Sequence, residues 1–204
     1  VEKPDQEAVP SRQFDISKID FELLSREFAH TRRKNLLLRD LDELVNQQLS
    51  KMMFANPQRI DYYDRYQEII DAYNAEQNRA TIEKTFMDLM ELASSLDTEQ
   101  QRYVREGFSS DEELSVYDLL FLENLTKQEI ETIKKVSVDL LTKIKQQIAK
   151  LDHWTDKQET KAIVDNLIRN TLWQELPNSY DVSDIQTYQK KIYEYVYMRY
   201  PEVA

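Results

Sequence analysis

Closely spaced carboxylates are the side chains of this sequence that most often suggest chemistry. Glu112 with Glu113, and Asp181 with Asp184, could in principle supply a general acid and a general base. Acid–base catalysis also needs a pocket that separates the two pKa values. These four residues instead occupy the first turns of predicted helices, where acidic side chains favour the helix dipole. The spacing therefore favours helix capping over catalysis.

Nucleophilic, metal and nucleotide chemistry find little support in the residue types. The chain has no cysteine and two histidines, His30 and His153, which lie far apart without an HExxH pattern. It has a single glycine, Gly107, whereas phosphate-binding loops need several. The sequence predicts no catalytic residue, no cofactor-binding residue and no metal ligand.

A basic cluster stands out in an otherwise acidic chain of formal net charge −11. A run of this kind at a helix junction could contact phosphates, although a solvated connection explains it equally simply. An acidic chain is a poor general ligand for nucleic acid, so any such contact would be local. The possible nucleic-acid or electrostatic contacts are Arg26, His30, Arg32, Arg33, Lys34 and Arg39.

Tyrosines crowd the end of the chain. Tyr188 and Tyr195 share the predicted core face of the last helix, while Tyr193, Tyr197 and Arg199 lie off it. Tyrosine and arginine are enriched in protein interfaces, because both combine a large contact area with hydrogen-bonding groups. We therefore predict that Tyr193, Tyr197 and Arg199 contact a partner. Ordinary packing of a terminal helix is the alternative.

The elements that position these residues are all predicted to be helices. Apolar residues recur with helical spacing from Ile19 onward, and no segment alternates as a strand does. The fold class is therefore all-α, with about eight helices in a bundle and no sheet. We expect residues 1–16 to form a linker or tail and residues 17–204 to form the helical domain, with a possible sub-boundary near residue 107.

Residues that typically begin or end helices flank these apolar repeats. Asn56-Pro57 should end the second helix, and Gly107 should follow a helix end in the left-handed conformation. Capping boxes are expected at Thr98, Ser110, Thr126 and Thr155. Trp173 falls in the apolar stripe of the penultimate helix, so we expect its ring to be buried.

Several segments, in order, resemble the C-terminal helical region of the restriction (motor) subunit of type I restriction-modification enzymes. The resemblance covers about residues 17–201 and no single piece is a catalytic signature. The carrying segments are 19–22 (IDFE), 56–62 (NPQRIDY), 65–70 (RYQEII), 111–120 (DEELSVYDLL), Trp154 with Lys157, 169–177 (RNTLWQELP) and 200–201 (YP).

The resemblance implies a fragment that is not itself an enzyme. In that family the nuclease and ATP-driven motor domains lie elsewhere in the polypeptide, so ATP and Mg²⁺ are implied for the parent protein only. The implied partners are the methyltransferase and specificity subunits, with DNA in the assembled cytoplasmic complex and no membrane. Because the chain starts at Val1 rather than Met, we expect it to be a piece of a longer protein.

The resemblance implies an assembly role, in which the domain holds the motor subunit onto the methyltransferase core. Two functional alternatives remain beside it. The domain could contact DNA and guide the duplex between the motor domains and the methyltransferase core of the complex. The basic cluster is the candidate surface for this role. It could also be a helical scaffold unrelated to restriction enzymes. In that case the ordered set of segments that resemble the family would be a coincidence.

Overall fold

The computed structural model describes residues 19–76 and 78–201, and these are helical almost throughout. Nine α-helices and one short 3-10 turn are present in these ranges, without any strand, so the all-α prediction is confirmed. The predicted linker at residues 1–16 lies outside the described residues. The helices are α1 (Phe21–His30), α2 (Lys34–Ala55), α3 (Ile60–Ala75), α4 (Arg79–Gln100), α5 (Arg102–Arg105), α6 (Asp111–Leu120), α7 (Lys127–Ile148), α8 (Gln158–Glu175) and α9 (Val182–Arg199).

Local sequence signals explain several helix ends. Helix α2 stops at Ala55, and the Asn56 side chain then accepts a hydrogen bond from the Gln58 amide to start the 3-10 turn. Thr126 forms a complete capping box with Glu129 at the start of α7. Gly107 has φ +84°, the left-handed conformation that its position predicts. It lies in the connection between α5 and α6.

Two predicted caps are wrong. Helix α4 continues through Thr98 to Gln100, and the Thr98 hydroxyl donates to the Ser94 carbonyl within the helix instead of capping a new one. Helix α8 starts at Gln158 with Lys157 as its N-cap, and no side chain accepts a hydrogen bond there. Ser and Thr hydroxyls bond to a carbonyl four residues back as readily as they cap, so the motif alone does not decide.

The described chain divides into two compact units. The first comprises residues 19–49 and 64–98. Within it the rings of Phe28 in α1 and Phe86 in α4 stack with centroids 3.6 Å apart. The Tyr66 hydroxyl of α3 donates to Asp42 of α2 at 2.8 Å. These contacts join α1 to α4 and α2 to α3.

The second unit comprises residues 50–63 and 99–201, and it holds the larger apolar core. The inner faces of α6, α7, α8 and α9 meet there, and Trp154 is its largest buried side chain, 1% exposed. The Trp154 indole donates from Nε1 to the Tyr200 carbonyl at 2.6 Å. The long connection from α7 to α8 is thereby fixed to the end of α9.

The expectation that Trp173 is buried is wrong, because its side chain remains 48% exposed. Its neighbour Leu172 and the preceding Ile168 are both completely buried on the inward face of α8. One residue further along a helix lies about 100° around the axis, which turns Trp173 away from the core.

None of the described helices combines the length with the apolar character that a membrane span requires.

Candidate functional site

The second unit contains a buried network of charges centred on Arg59. The 3-10 turn after α2 places Arg59 in the interior, where its side chain is only 4% exposed. Its Nε donates to Glu99 at 3.1 Å. Its two terminal nitrogens donate to both carboxylate oxygens of Asp111, at 3.0 and 2.6 Å. A paired geometry of this kind matches the planar guanidinium to a carboxylate.

Electrostatics keep Arg59 charged in this position. Burial alone would lower the pKa of Arg59, but the hydrogen bonds and charges of Asp111 and Glu99 outweigh it and raise the pKa. Two carboxylates thus stabilise one buried cation. The network joins the end of α4 to the start of α6 and to the turn after α2.

Asp118 extends the network along α6. Its Oδ2 accepts hydrogen bonds from Asn56 at 2.6 Å and from the guanidinium of Arg102. Burial raises the pKa of Asp118, and the Arg102 charge only partly opposes that effect. A carboxyl with a raised pKa beside a cavity is a common feature of catalytic sites, and it also occurs in structural ion networks.

A cavity of about 350 Å³ opens beside these charges. Arg59, Glu99, Arg102 and Asp118 form one part of its wall, and the rings of Tyr62 and Tyr117 form another. Each of these four charged groups already has an oppositely charged partner. The arrangement therefore holds three chain segments in register, and none of these four charged groups is left unpaired.

Sequence reasoning missed this network, although the segments that carry it were recognised. Residues 56–62 supply Asn56 and Arg59, and residues 111–120 supply Asp111 and Asp118. The available signal was an arginine two residues after a helix-ending Asn-Pro pair, inside one of the two segments. No pattern indicated its partners, which lie 40 and 52 residues away.

The carboxylate pairs of the sequence analysis serve as caps and ion-pair partners. Glu113 accepts from the Ser109 amide at 2.8 Å, and Asp181 with Asp184 forms a complete capping box. Glu112 pairs with Lys145, whose hydrogen bond and charge outweigh burial and lower the pKa of Glu112. The capping interpretation is therefore confirmed for Asp181 and Asp184.

Histidine offers no metal centre in the described ranges, where no three metal-ligating side chains of His, Cys, Asp or Glu come together. His153 lies 3.5 Å from Asp152 and has φ +45°, an uncommon backbone conformation for a non-glycine residue.

The predicted partner residues of α9 occupy a surface made of aromatic rings. Tyr193 and Tyr197 both contact the Trp154 ring edge-on, with centroids 6.2 and 5.7 Å away. Lys161 of α8 lies over the Tyr197 ring at 5.7 Å. Tyr193 is thereby partly covered, whereas Tyr197 keeps 39% of its surface exposed.

Arg199 meets a ring that the sequence analysis did not select. Its guanidinium lies 4.7 Å from the centroid of Phe54, the penultimate residue of α2. Phe54 is 59% exposed and Met198 beside Arg199 is 64% exposed. A cation stacked on an aromatic ring holds both side chains in place, since the ring face attracts positive charge. We call Phe54, Tyr197, Met198 and Arg199 the α9 surface.

The basic cluster lies in the first unit, around the junction of α1 and α2. Three of its members have acidic partners: Arg26 pairs with Glu22, Lys34 with Glu83 and Arg39 with Asp40, at 3.2, 2.7 and 3.6 Å. His30, Arg32 and Arg33 are exposed, and no carboxylate of the described residues pairs with them. The unpaired positive charge of the cluster is thus concentrated in Arg32 and Arg33.

Comparison with known proteins finds one family. The family model described as "Type I restriction enzyme HindI endonuclease subunit-like, C-terminal" matches residues 7–200. No curated protein and no solved structure matches the chain.

Proposed function

The chain belongs to this family of C-terminal domains of type I restriction enzyme endonuclease subunits, and from that premise we propose that it mediates assembly. In the proposal, the domain joins the DNA-translocating and DNA-cleaving subunit to the methyltransferase and specificity subunits. The resulting complex acts on DNA in the cytoplasm.

The α9 surface is the observation that supports this proposal. It presents an exposed phenylalanine and methionine beside an arginine whose guanidinium lies on the Phe54 ring, and an exposed tyrosine two positions earlier on α9. Aromatic, methionine and arginine side chains are enriched in interfaces, and tyrosine and arginine supply most of the strong contacts. Fixing them before binding lowers the entropy that association must overcome.

Nucleotide chemistry is assigned to other parts of the parent protein. The residues of this chain do not fit ATP, since one glycine cannot form a phosphate loop. We expect the purified chain neither to hydrolyse ATP nor to cleave DNA. ATP turnover that a single substitution in the chain abolishes would contradict this assignment.

A DNA-contacting role is the second candidate, and Arg32 and Arg33 are the residues that favour it. Both are exposed and lack an acidic partner in the described structure. Their two positive charges are small in number compared with the formal net charge of −11 over the whole chain. We therefore place DNA guidance behind assembly.

Assembly is tested by measuring the affinity of the full-length endonuclease subunit for the methyltransferase–specificity complex. We expect Tyr197→Ala combined with Arg199→Ala to weaken binding about tenfold or more, because two anchors of an interface are lost. Tyr63→Ala is the matched control, since Tyr63 is 40% exposed and lies outside the α9 surface. Unchanged affinity in the double variant, with an intact circular dichroism spectrum, would refute the proposed role of this surface.

A further inference from the structure

An apolar groove of about 380 Å³ runs between α1 and α2 in the first unit. Leu23 on its wall is 52% exposed. Six aliphatic residues line it: Ile19, Leu23, Leu24, Leu37, Leu41 and Leu44.

The groove borders the residues of the two helices that pack inside their own unit. Phe28 of α1, four residues after Leu24 of the lining, stacks on Phe86 of α4. Leu38 and Val45 of α2 are buried, at 4% and 0% exposure. Leu41 on the groove floor is itself buried, whereas Leu23 is 52% exposed and Leu24, Leu37 and Leu44 are half-buried, so part of the apolar lining stays open to a ligand.

The polar residues of the groove are all acidic. Asp20, Glu27 and Asp40 complete the lining, and no lysine or arginine takes part in it. Asp20 accepts from the Leu23 amide at 2.9 Å, and Asp40 lies 3.6 Å from the largely exposed Arg39. Glu27 is exposed and forms no ion pair in the described part of the chain. An apolar floor with a negative rim favours an apolar ligand that carries positive charge.

We infer that this groove binds an amphipathic helix of another subunit, with an apolar stripe flanked by lysine or arginine. From the N-cap Asp20 to Glu27 the groove extends over eight residues, of which the last seven belong to α1, a rise of about 10 Å or two helical turns. That length receives apolar side chains at positions i, i+3 or i+4, and i+7 of a docked helix. The inference rests on the proposed assembly function, because it takes the occupant from the same complex.

Site-specific cross-linking identifies the occupant directly. We replace Leu23 by the photo-reactive amino acid p-benzoylphenylalanine in the full-length subunit, assemble the complex and sequence the cross-linked peptides. The expected product is a peptide of the methyltransferase or specificity subunit with helical apolar spacing and flanking basic residues. A cross-link to residues 1–18 of the same chain, to a second copy of it, or to an acidic peptide would overturn the inference.

Affinity measurements test the two chemical features separately. Leu23→Glu removes apolar contact and Glu27→Lys reverses the rim charge. We expect each to weaken assembly, the former about tenfold or more, as the loss of one buried leucine implies. Leu36→Glu and Glu43→Lys are matched controls on α2 outside the groove lining, and we expect both to bind as the unmodified subunit does.

The outcomes separate this inference from the proposed function. If Tyr197→Ala with Arg199→Ala weakens assembly and Leu23→Glu does not, the groove inference fails while the assembly role stands. If Leu23→Glu weakens assembly and the α9 variant does not, the groove carries the interface and the α9 surface does not. If neither variant changes the affinity, both proposals fail.

Discussion

Arg59 binds Asp111 through two parallel hydrogen bonds, of 3.0 Å from Nη1 and 2.6 Å from Nη2, in the interior of the second unit. The pair connects the turn after α2 with the first turn of α6, 52 residues later. Both partners belong to segments that carry the family resemblance. The relationship identifies the function of these two segments within the fold: they hold each other in place.

Loss of Arg59 should therefore destabilise the chain strongly. Arg59→Met leaves Glu99, 7% exposed, with Arg102 at 3.5 Å as its remaining ion-pair partner. We expect a loss of about 3 kcal/mol in the free energy of unfolding, the lower end of what breaking a buried ion pair costs, because Arg102 remains. Urea denaturation followed by circular dichroism measures it.

An exposed ion pair provides the control for this experiment. Arg79, with 84% of its side chain exposed, pairs with Glu83 within α4. Arg79→Ala should change the unfolding free energy by less than about 0.5 kcal/mol. Equal effects of the two substitutions would show that the Arg59 network adds no stability.

The sequence was sufficient to predict helix type and several helix ends, since both depend on neighbouring residues. The stop at Asn56-Pro57, the capping box at Thr126 and the conformation of Gly107 each follow from the residues adjacent to them. Thr98 fails as a cap because α4 does not end there: Leu96 and Glu99 on either side of it are buried. Tertiary burial thus overrides a local capping signal.

The candidate sites were harder to predict, because they combine residues that are distant in sequence. The position of Arg199 on α9 is enough to suggest it as a contact residue. Its ring partner Phe54 lies much earlier in the sequence, at the end of α2, and could not be inferred from it. The apolar stripe of α8 predicts a buried Trp173. Which residues of α8 are buried depends on how α7 and α9 pack against this helix, and the sequence of α8 alone does not contain that information. Periodicity gives the face of a helix to within about one residue, which is too coarse for a single side chain.

Acidic pH should distinguish two carboxylates of α6. The lowered pKa of Glu112 means that the unfolded chain binds its proton first as pH falls, so this group stabilises the fold above about pH 4.5 and loses that effect below it. Asp118 has a raised pKa, and the folded chain takes up its proton first, which opposes acid unfolding.

Substituting the two groups should therefore change the pH dependence of the unfolding free energy in opposite directions. Glu112→Gln should make the loss of stability at falling pH shallower, and Asp118→Asn should make it steeper. Urea denaturation at a series of values between about pH 3 and pH 7 measures both slopes. Shifts of the same sign in the two variants would contradict the assignment of these charges.

The two tryptophans should differ in both stability and solvent access. Trp154 is 1% exposed and hydrogen-bonded to Tyr200, so Trp154→Ala should lower the free energy of unfolding by about 3–5 kcal/mol. Trp173 is 48% exposed, so Trp173→Ala should lower it by less than about 1 kcal/mol.

Fluorescence quenching by acrylamide gives an independent measurement, because the chain has only these two tryptophans. Trp173→Phe leaves Trp154 as the emitter and should yield weak quenching. Trp154→Phe leaves Trp173 and should yield strong quenching. Equal quenching of the two variants would place both indoles in the same environment, against the structure.

DNA binding by the basic cluster should be weak, and its affinity should fall less steeply with salt than if every basic residue of the cluster contacted DNA. The affinity of a protein for duplex DNA falls with salt concentration with a logarithmic slope of about −0.9 for each phosphate neutralised. Arg26, Lys34 and Arg39 already have acidic partners, so Arg32 and Arg33 are the arginines left for phosphates. A slope of about −2 is therefore expected, whereas a slope near −4.5 would mean that all five arginines and lysines of the cluster contact DNA.

The substitutions Arg32→Ala and Arg33→Ala separate DNA contact from assembly. We expect the double variant to lose what DNA affinity the chain has and to keep its affinity for the methyltransferase–specificity complex, because the α9 surface is unchanged. Charge contacts are screened as ionic strength rises, whereas burial of the Tyr197 ring is not. Assembly should thus persist at high salt. If the double variant instead loses assembly at low salt and retains its DNA affinity, the cluster is a protein contact and the DNA-guiding role has no surface left to carry it.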